Sequence, residues 1–237
     1  MEIITFIQNY KEAFGESAEL PVAFWYSNTP VAQTEKITGC FFKEMRNVRD
    51  GKPAGLNAEN ISCPGGKFYT GFTEMPPFVP NFVSGKEKYK ETPELVIDFL
   101  NQLDVQRARK KYLNLARVDQ VERFDDVEGI IFFATPDMLS GLASWAYFDN
   151  NSDGAVTSKF GAGCSSVIAE AVAENNRNGR RTFIGLFDPS VRPHIEKNVL
   201  SFTIPMSRFK EMYGTMRNCC LIGTADWDKM RDRINKV

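Results

Sequence analysis

Gly129-Ile130-Ile131-Phe132-Phe133-Ala134-Thr135-Pro136-Asp137 is the stretch of sequence that decides the fold. Its first six residues contain no polar side chain, which is typical of a strand that is covered on both faces. The last three residues have the signature of a helix start, because threonine can cap a helix, proline suits its first turn and aspartate is favoured by the dipole. The stretch therefore predicts a central strand followed at once by a helix.

The same kinds of signal recur along the rest of the chain. Thr92-Pro93-Glu94 repeats the helix start, and apolar residues follow it at three- and four-residue spacings. The alternation of elements predicts an α/β or closely mixed α+β fold, with helices packed on a central mixed sheet. Helices are predicted at about residues 2–15, 40–49, 92–103, 135–148, 164–174, 205–213 and from 224 onward. Strands are predicted at about 21–26, 129–134, 182–187 and 199–204. Residues 61–72 are predicted to be strand or irregular structure, and residues 52–60 and 74–91 are predicted to be loops.

The composition narrows the classes of function. The 237 residues include 29 lysines and arginines against 30 aspartates and glutamates, so the formal net charge is −1. Without a basic field, binding to nucleic acid is not expected. No apolar run approaches the roughly 20 residues of a membrane span, and the first residues do not resemble a signal peptide. We therefore expect a single cytoplasmic domain over residues 1–237 that binds neither membrane nor nucleic acid, with a homo-oligomer left open.

The five cysteines carry the most information about function. Because cytoplasmic thiols stay reduced, these residues are interpreted as free thiols or metal ligands. Cys40 and Cys164 each follow a glycine at a predicted helix start, where the positive end of the dipole would lower the thiol pKa. Cys63 follows Cys40 by 23 residues, and Leu186 follows Cys164 by 22. The similar intervals suggest two glycine-cysteine-helix-strand units and hence an internal duplication.

Cys40, Cys63 and Cys164 are candidate metal ligands. Thiolates hold zinc and iron–sulfur clusters, and cysteines on three separate loops can converge on one centre. The chain has no C-x-x-C pair, so a buried structural role for these cysteines stays open. The cofactor that this hypothesis predicts is an iron–sulfur cluster or a metal ion.

A second set of residues indicates an anionic ligand. Gly39, Gly163 and Ser165 lie at the two predicted helix starts, where backbone N–H groups can bind an anion, and Arg192 could supply a positive charge. His194, the single histidine, could act as a base for a thiol, although a loop histidine is more often a surface residue. No catalytic residue is assigned. Six aromatic residues flank the predicted site in the sequence: Phe41, Phe42, Phe68, Phe72, Trp145 and Phe160.

Several short motifs occur in an order that resembles a known family. Together they resemble the prokaryotic family named domain of unknown function 169, over about residues 18–213, which leaves 214–237 as a C-terminal helical extension. The resemblance implies a soluble prokaryotic protein without a settled activity, and a fourth cysteine where this chain has Leu186. Either Asp188 replaces that missing ligand or the metal site has been lost. The motifs are Gly39-Cys40-Phe41-Phe42-Lys43, Cys63-Pro64-Gly65-Gly66, Thr135-Pro136-Asp137 and Gly161-Ala162-Gly163-Cys164, closing with the strand to Pro205.

The residues support three hypotheses about function. The leading one is a binding protein that holds a metal centre or a small anionic ligand in a pocket between the helix starts at Cys40 and Cys164. The second is an enzyme that uses Cys164 or Cys40 in redox or acyl-transfer chemistry. The third is a scaffold that has kept the fold and lost its site.

Overall fold

One mixed β-sheet organises the chain. The computed structural model describes residues 1–236. Within that range the strands are β1 (Val22–Ser27), β2 (Ala54–Leu56), β3 (Tyr112–Arg117), β4 (Gly129–Ala134), β5 (Val156–Thr157), β6 (Thr182–Gly185) and β7 (Leu200–Pro205). Their order across the sheet is β2-β3-β1-β4-β7-β6-β5. Neighbouring strands run antiparallel except β5 and β6, which are parallel, so the predicted mixed sheet is confirmed.

Helices cover both faces of this sheet, as the predicted fold class requires. The α-helices of residues 1–236 are α1 (Ile3–Phe14), α2 (Phe42–Arg49), α3 (Pro64–Tyr69), α4 (Val79–Phe82), α5 (Pro93–Leu103), α6 (Pro136–Tyr147), α7 (Glu170–Asn176), α8 (Met206–Tyr213) and α9 (Ala225–Ile234). Helices α2, α3, α5 and α7 contribute to one apolar core, which we call the cysteine face because it contains Cys164. Helices α1, α6, α8 and α9 contribute to the core on the opposite face.

Strand β4 lies at the centre of the sheet and is buried along its whole length. Ile131 and Phe133 point into the core of the cysteine face, whereas Ile130 and Phe132 point into the opposite core. The strand leads directly into α6, whose N-cap residue Thr135 accepts a hydrogen bond from the backbone of Met138 at 3.5 Å. The prediction made from this stretch is confirmed, because an uninterrupted apolar run can be stable only where both faces are covered.

Two local predictions were wrong or incomplete. Residues 61–72 contain the helix α3, because Pro64 suits a first turn and the Cys63 sulfur accepts a hydrogen bond from the Gly66 N–H at 3.4 Å. Two consecutive glycines lower the helix propensity there and conceal the helix in the sequence. The predicted loops also contain structure, because β2 lies within residues 52–60, and α4 and a π-helical turn over Val83–Glu87 lie within 74–91.

The two halves of the sheet have corresponding strand orders. From the central pair outward, one half runs β1, β3, β2, and the other runs β4, β7, β6 and ends in an additional edge strand, β5. In the first half, β3 pairs antiparallel with β1 and β2. In the second half, β7 pairs antiparallel with β4 and β6. This correspondence places Cys40 before α2 and β2, and Cys164 before α7 and β6. The internal duplication itself stays a prediction, since a shared strand order can also arise without common ancestry.

The C-terminal helix α9 packs on the N-terminal helix α1. The Trp227 indole N–H donates to the backbone carbonyl of Ala13 at 2.6 Å, and its ring meets that of Phe14 edge to face. Both helices therefore belong to the core opposite the cysteine face. Across residues 1–236, no helix has the length and apolar character that crossing a membrane requires.

Candidate functional site

A cavity of about 240 Å³ opens on the cysteine face of the protein. Its base is formed where the loop before α2, the start of α3 and the loop before the π-helical turn Ser165–Ala169 meet. The segment 75–90, which includes α4, covers it and is called the roof below. Helix α5 and the loop after β6 complete the wall.

The four residues predicted as metal ligands all line this cavity. Cys40 lies just before α2, Cys63 is the N-cap of α3, and Cys164 immediately precedes the π-helical turn. Asp188 comes from the loop after β6. Cys164 and Asp188 are buried, with 8% and 6% of their surface exposed, whereas Cys40 and Cys63 are half-buried. Residues from four distant parts of the sequence thus line one cavity.

The glycines that precede two of these cysteines have separate structural reasons. Gly39 has a φ of 86°, a left-handed conformation that side chains rarely adopt. Gly163 is instead favoured by packing, because a Cβ there would come within 3.0 Å of the Phe42 and Val191 side chains, which would have to shift. The two glycine-cysteine pairs therefore meet different local demands, and neither glycine is evidence for anion binding.

The prediction that the helix starts lower the thiol pKa values was wrong. Burial raises the pKa of the Cys40 thiol, and a hydrogen bond from the Phe42 backbone only partly offsets that effect. Burial also raises the pKa of Cys164 well above the usual thiol value, and the nearby Cys63 and Cys40 add to the increase. Desolvation outweighs the helix dipole because a thiolate without a counter-charge is costly to bury. At neutral pH the Cys40 and Cys164 thiols are therefore protonated.

The Asp188 carboxylate is held by its own loop. Its Oδ1 accepts from the Ser190 N–H at 2.8 Å, and its Oδ2 accepts from the Ser190 hydroxyl at 2.7 Å. Burial raises the pKa values of two roof residues, Glu87 and Tyr89, and the charge of Asp188 adds to both increases. Acidic groups of the wall and of the roof thus line the same cavity.

Of the residues predicted to bind an anion, one lies in the cavity lining. Gly163 lines the cavity, whereas Gly39, Ser165 and Arg192 are not among the residues that line it in the described chain. Arg192 donates to backbone carbonyls of its own loop, including that of Val199 at 2.6 Å, and so stabilises the approach to β7. The Ser165 hydroxyl donates to the Ala162 carbonyl at 2.7 Å.

Other predicted neighbours are divided between the two faces of the sheet. Within residues 1–236, His194 does not line the cavity, so the described chain does not pair it there with a thiol. Phe42 and Phe160 are part of the lining. Phe41, Phe68 and Phe72 belong to the surrounding core of the cysteine face, whereas Trp145 lies in the opposite core.

Sequence reasoning missed the roof. Phe78 and Phe82 of this segment stack edge to face, yet they remain 55% and 44% exposed. Tyr89 meets Phe160 edge to face, with ring centroids 5.7 Å apart, and both residues line the cavity. The available signal was the density of aromatic and apolar residues between prolines, which is unusual for a solvated loop.

Glu170 is a buried carboxyl group on the helix that continues from Cys164. It is 4% exposed, and its Oε2 atom has no hydrogen-bond partner within residues 1–236. Burial raises its pKa from 4.5 to about 7, although Lys159, Arg181 and Arg177 act in the opposite direction. Glu174, one turn later, accepts hydrogen bonds from Arg181 and Arg177.

The cavity does not contain a ready-made metal site. In the part of the chain that the structure describes, no three histidine, cysteine, aspartate or glutamate side chains are arranged to hold a metal ion together. The four predicted ligands line the same cavity, but no three of them are arranged to hold one ion in the described chain.

A comparison with known families identifies the chain. The profile of the family DUF169, described as "Uncharacterised ArCR", matches residues 15–214 of 237. The chain therefore belongs to this family, as the ordered motifs predicted. No curated protein and no solved structure shows a significant match.

Proposed function

We propose that this protein binds a soft metal ion or a small metal cluster in the cysteine cavity, with Cys40, Cys63, Cys164 and Asp188 as ligands. The observation that carries the proposal is that these four residues, which are far apart in the sequence, line a single cavity. Thiolates favour zinc, copper(I) and iron–sulfur clusters over hard cations. A carboxylate is also an accepted zinc ligand.

The charges around the cavity favour a cation over an anion. Asp188 and Glu87 both line it. Burial raises the pKa of the Glu87 carboxyl, and the charge of Asp188 adds to the increase. Lys90 is the one lysine or arginine among the lining residues of the described chain, and its ammonium lies 5.3 Å from the ring centroid of Phe99. A small anion entering the cavity would therefore meet two carboxyl groups, whereas a cation would relieve their repulsion.

The same electrostatics predict how the metal would bind. The Cys40 and Cys164 thiols, whose pKa values are raised, do not ionise on their own at neutral pH, but a metal ion would supply the missing counter-charge and displace their protons. Metal affinity should therefore rise with pH. Cys40 and Cys63, which are half-buried in loops, can rotate toward a bound ion more easily than buried Cys164 can.

The fourth proposed ligand is Asp188 and not the residue at position 186. The family resemblance places a fourth cysteine at position 186, but Leu186 is only 1% exposed and belongs to the core. Asp188, two residues later, lines the cavity instead. The fourth ligand of this chain is therefore proposed to be an oxygen atom.

The experiment is metal analysis of the protein after anaerobic purification, followed by titration with Zn²⁺ and Co²⁺. We expect about one metal centre per chain, and loss of most of it in single variants Cys40→Ser, Cys63→Ser and Cys164→Ser. Cys219→Ser and Cys220→Ser are matched controls, because neither residue lines the cavity of the described chain, and they should retain the metal. Equal loading in all five variants, or no binding by the wild type at micromolar metal, would overturn the proposal.

A further inference from the structure

The cysteine cavity contains more space than a metal ion can fill. Its volume is about 240 Å³. An engineered apolar cavity of about 150 Å³ in another protein binds benzene. The space beside the cysteines is therefore large enough for an organic molecule with one or two rings.

The walls away from the cysteines are apolar. The roof contributes Val79, Phe82 and Val83, helix α5 contributes Val96 and Phe99, and the loop before Cys164 contributes Phe160. This part of the cavity is called the apolar chamber. Aromatic and branched apolar walls bind a flat apolar ring through dispersion and through edge-to-face contacts.

The polar groups restrict the charge of the ligand. Asp188 and Glu87 also line the cavity, so a carboxylate or phosphate on the ligand would be repelled. Lys90 is the one lysine or arginine that lines the cavity in the described chain, and its ammonium already lies over the ring of Phe99. Because most of the other lining residues are apolar, burying a charged group of either sign against them would be costly, and the chamber is suited to an uncharged molecule.

We propose that the apolar chamber binds a compact, uncharged aromatic molecule of one or two rings. This ligand would occupy the cavity beside the proposed metal centre, but its binding depends on the roof and α5 and does not require a metal. The protein would then be a receptor for a small aromatic compound, and the cysteines would lie next to that compound.

The test uses indole as the probe and the full-length protein, with binding measured by calorimetry and by ligand-observed NMR. Indole should bind, and indole-3-carboxylate should bind at least tenfold more weakly because of its negative charge. Val79→Phe and Val83→Phe fill the chamber from half-buried roof positions and should each weaken indole binding at least tenfold. Val31→Phe makes the same substitution at an exposed residue that does not line the cavity in the described chain, and it should leave indole binding unchanged.

Metal loading of the same variants separates this inference from the proposed function. A triple variant with serine at Cys40, Cys63 and Cys164 should lose the metal and keep indole binding. The roof variants should keep the metal and lose indole. Absence of indole binding to the wild type at millimolar concentration, or equal binding by the folded roof variants, would refute the apolar chamber as a ligand site, whatever the metal result.

Discussion

Replacing Glu170 by glutamine is expected to stabilise the protein at pH 8 and to have almost no effect at pH 4. Glutamine resembles the protonated carboxyl group in shape and carries no charge. Burial raises the pKa of Glu170 from 4.5 to about 7, so the folded protein holds this proton more tightly than the unfolded chain does. The wild-type protein has the full stability that the protonated Glu170 allows below pH 4.5, and it loses that contribution as the pH rises through about 7.

The size of the effect follows from the two pKa values. The difference between 4.5 and about 7 corresponds to about 3 kcal/mol, at about 1.4 kcal/mol for each tenfold change in proton affinity. For a chain of this length, that free energy raises the midpoint of thermal unfolding by roughly 6–12 °C. The advantage of the variant should fall below about 1 kcal/mol by pH 5, as the wild-type carboxyl becomes protonated in the unfolded state as well.

The assay is urea unfolding of both proteins at several pH values between 4 and 8. Glu174→Gln is the matched control, because Glu174 is also buried. Burial acts to raise its pKa, but hydrogen bonds from Arg181 and Arg177 together outweigh burial and hold the pKa below the usual value. That control should destabilise the protein at pH 8, the opposite sign. If Glu170→Gln were neutral or destabilising at pH 8, Glu170 would have a partner or solvent that stabilises its charge, and the reasoning would be refuted.

Three further predictions concern the thiols, the central strand and the helix start. In metal-free protein, iodoacetamide should modify Cys164 slowly at pH 7 because burial raises its pKa, and peptide mass spectrometry that finds rapid labelling would restore the thiol-enzyme hypothesis. Gly129→Ala should lower the free energy of unfolding in urea by about 1–3 kcal/mol, because the new Cβ would come within 2.7 Å of Phe24. Gly85→Ala, which adds a Cβ in open space, should leave that free energy unchanged, and equal effects of the two substitutions would contradict this packing. Thr135→Ala should cost about 1 kcal/mol through loss of the N-cap of α6, and an unchanged unfolding midpoint would show that this cap is dispensable.

Much of the fold could be predicted because local signals and burial agree. The apolar run of β4 and the threonine-proline starts of α5 and α6 specify their own structures. Strand β3 was missed because its interior contains Asn114, which is unfavourable in a strand by propensity. In the folded protein this side chain donates to the Ser27 hydroxyl at 2.8 Å and accepts from the Val31 N–H at 2.7 Å. Such partners, more than 80 residues away, cannot be read from a local pattern.

The candidate site could be predicted only in part, for a similar reason. Ordered motifs identified Cys40, Cys63 and Cys164 as residues of interest, and all three line one cavity. Their thiol chemistry could not be predicted from helix starts, because the pKa values depend mainly on how deeply the folded chain buries each group. The roof was hidden for the opposite reason, since its proline-rich sequence resembles a loop although its apolar residues cover the cavity.

X-ray absorption spectroscopy of the zinc-loaded wild-type protein tests the central claim most directly, because it counts the ligand atoms around the metal. Binding by Cys40, Cys63, Cys164 and Asp188 predicts about three sulfur atoms at about 2.3 Å and one oxygen at about 2.0–2.2 Å. A shell that contains only nitrogen and oxygen atoms would contradict the claim, because it would place the metal away from the cysteines.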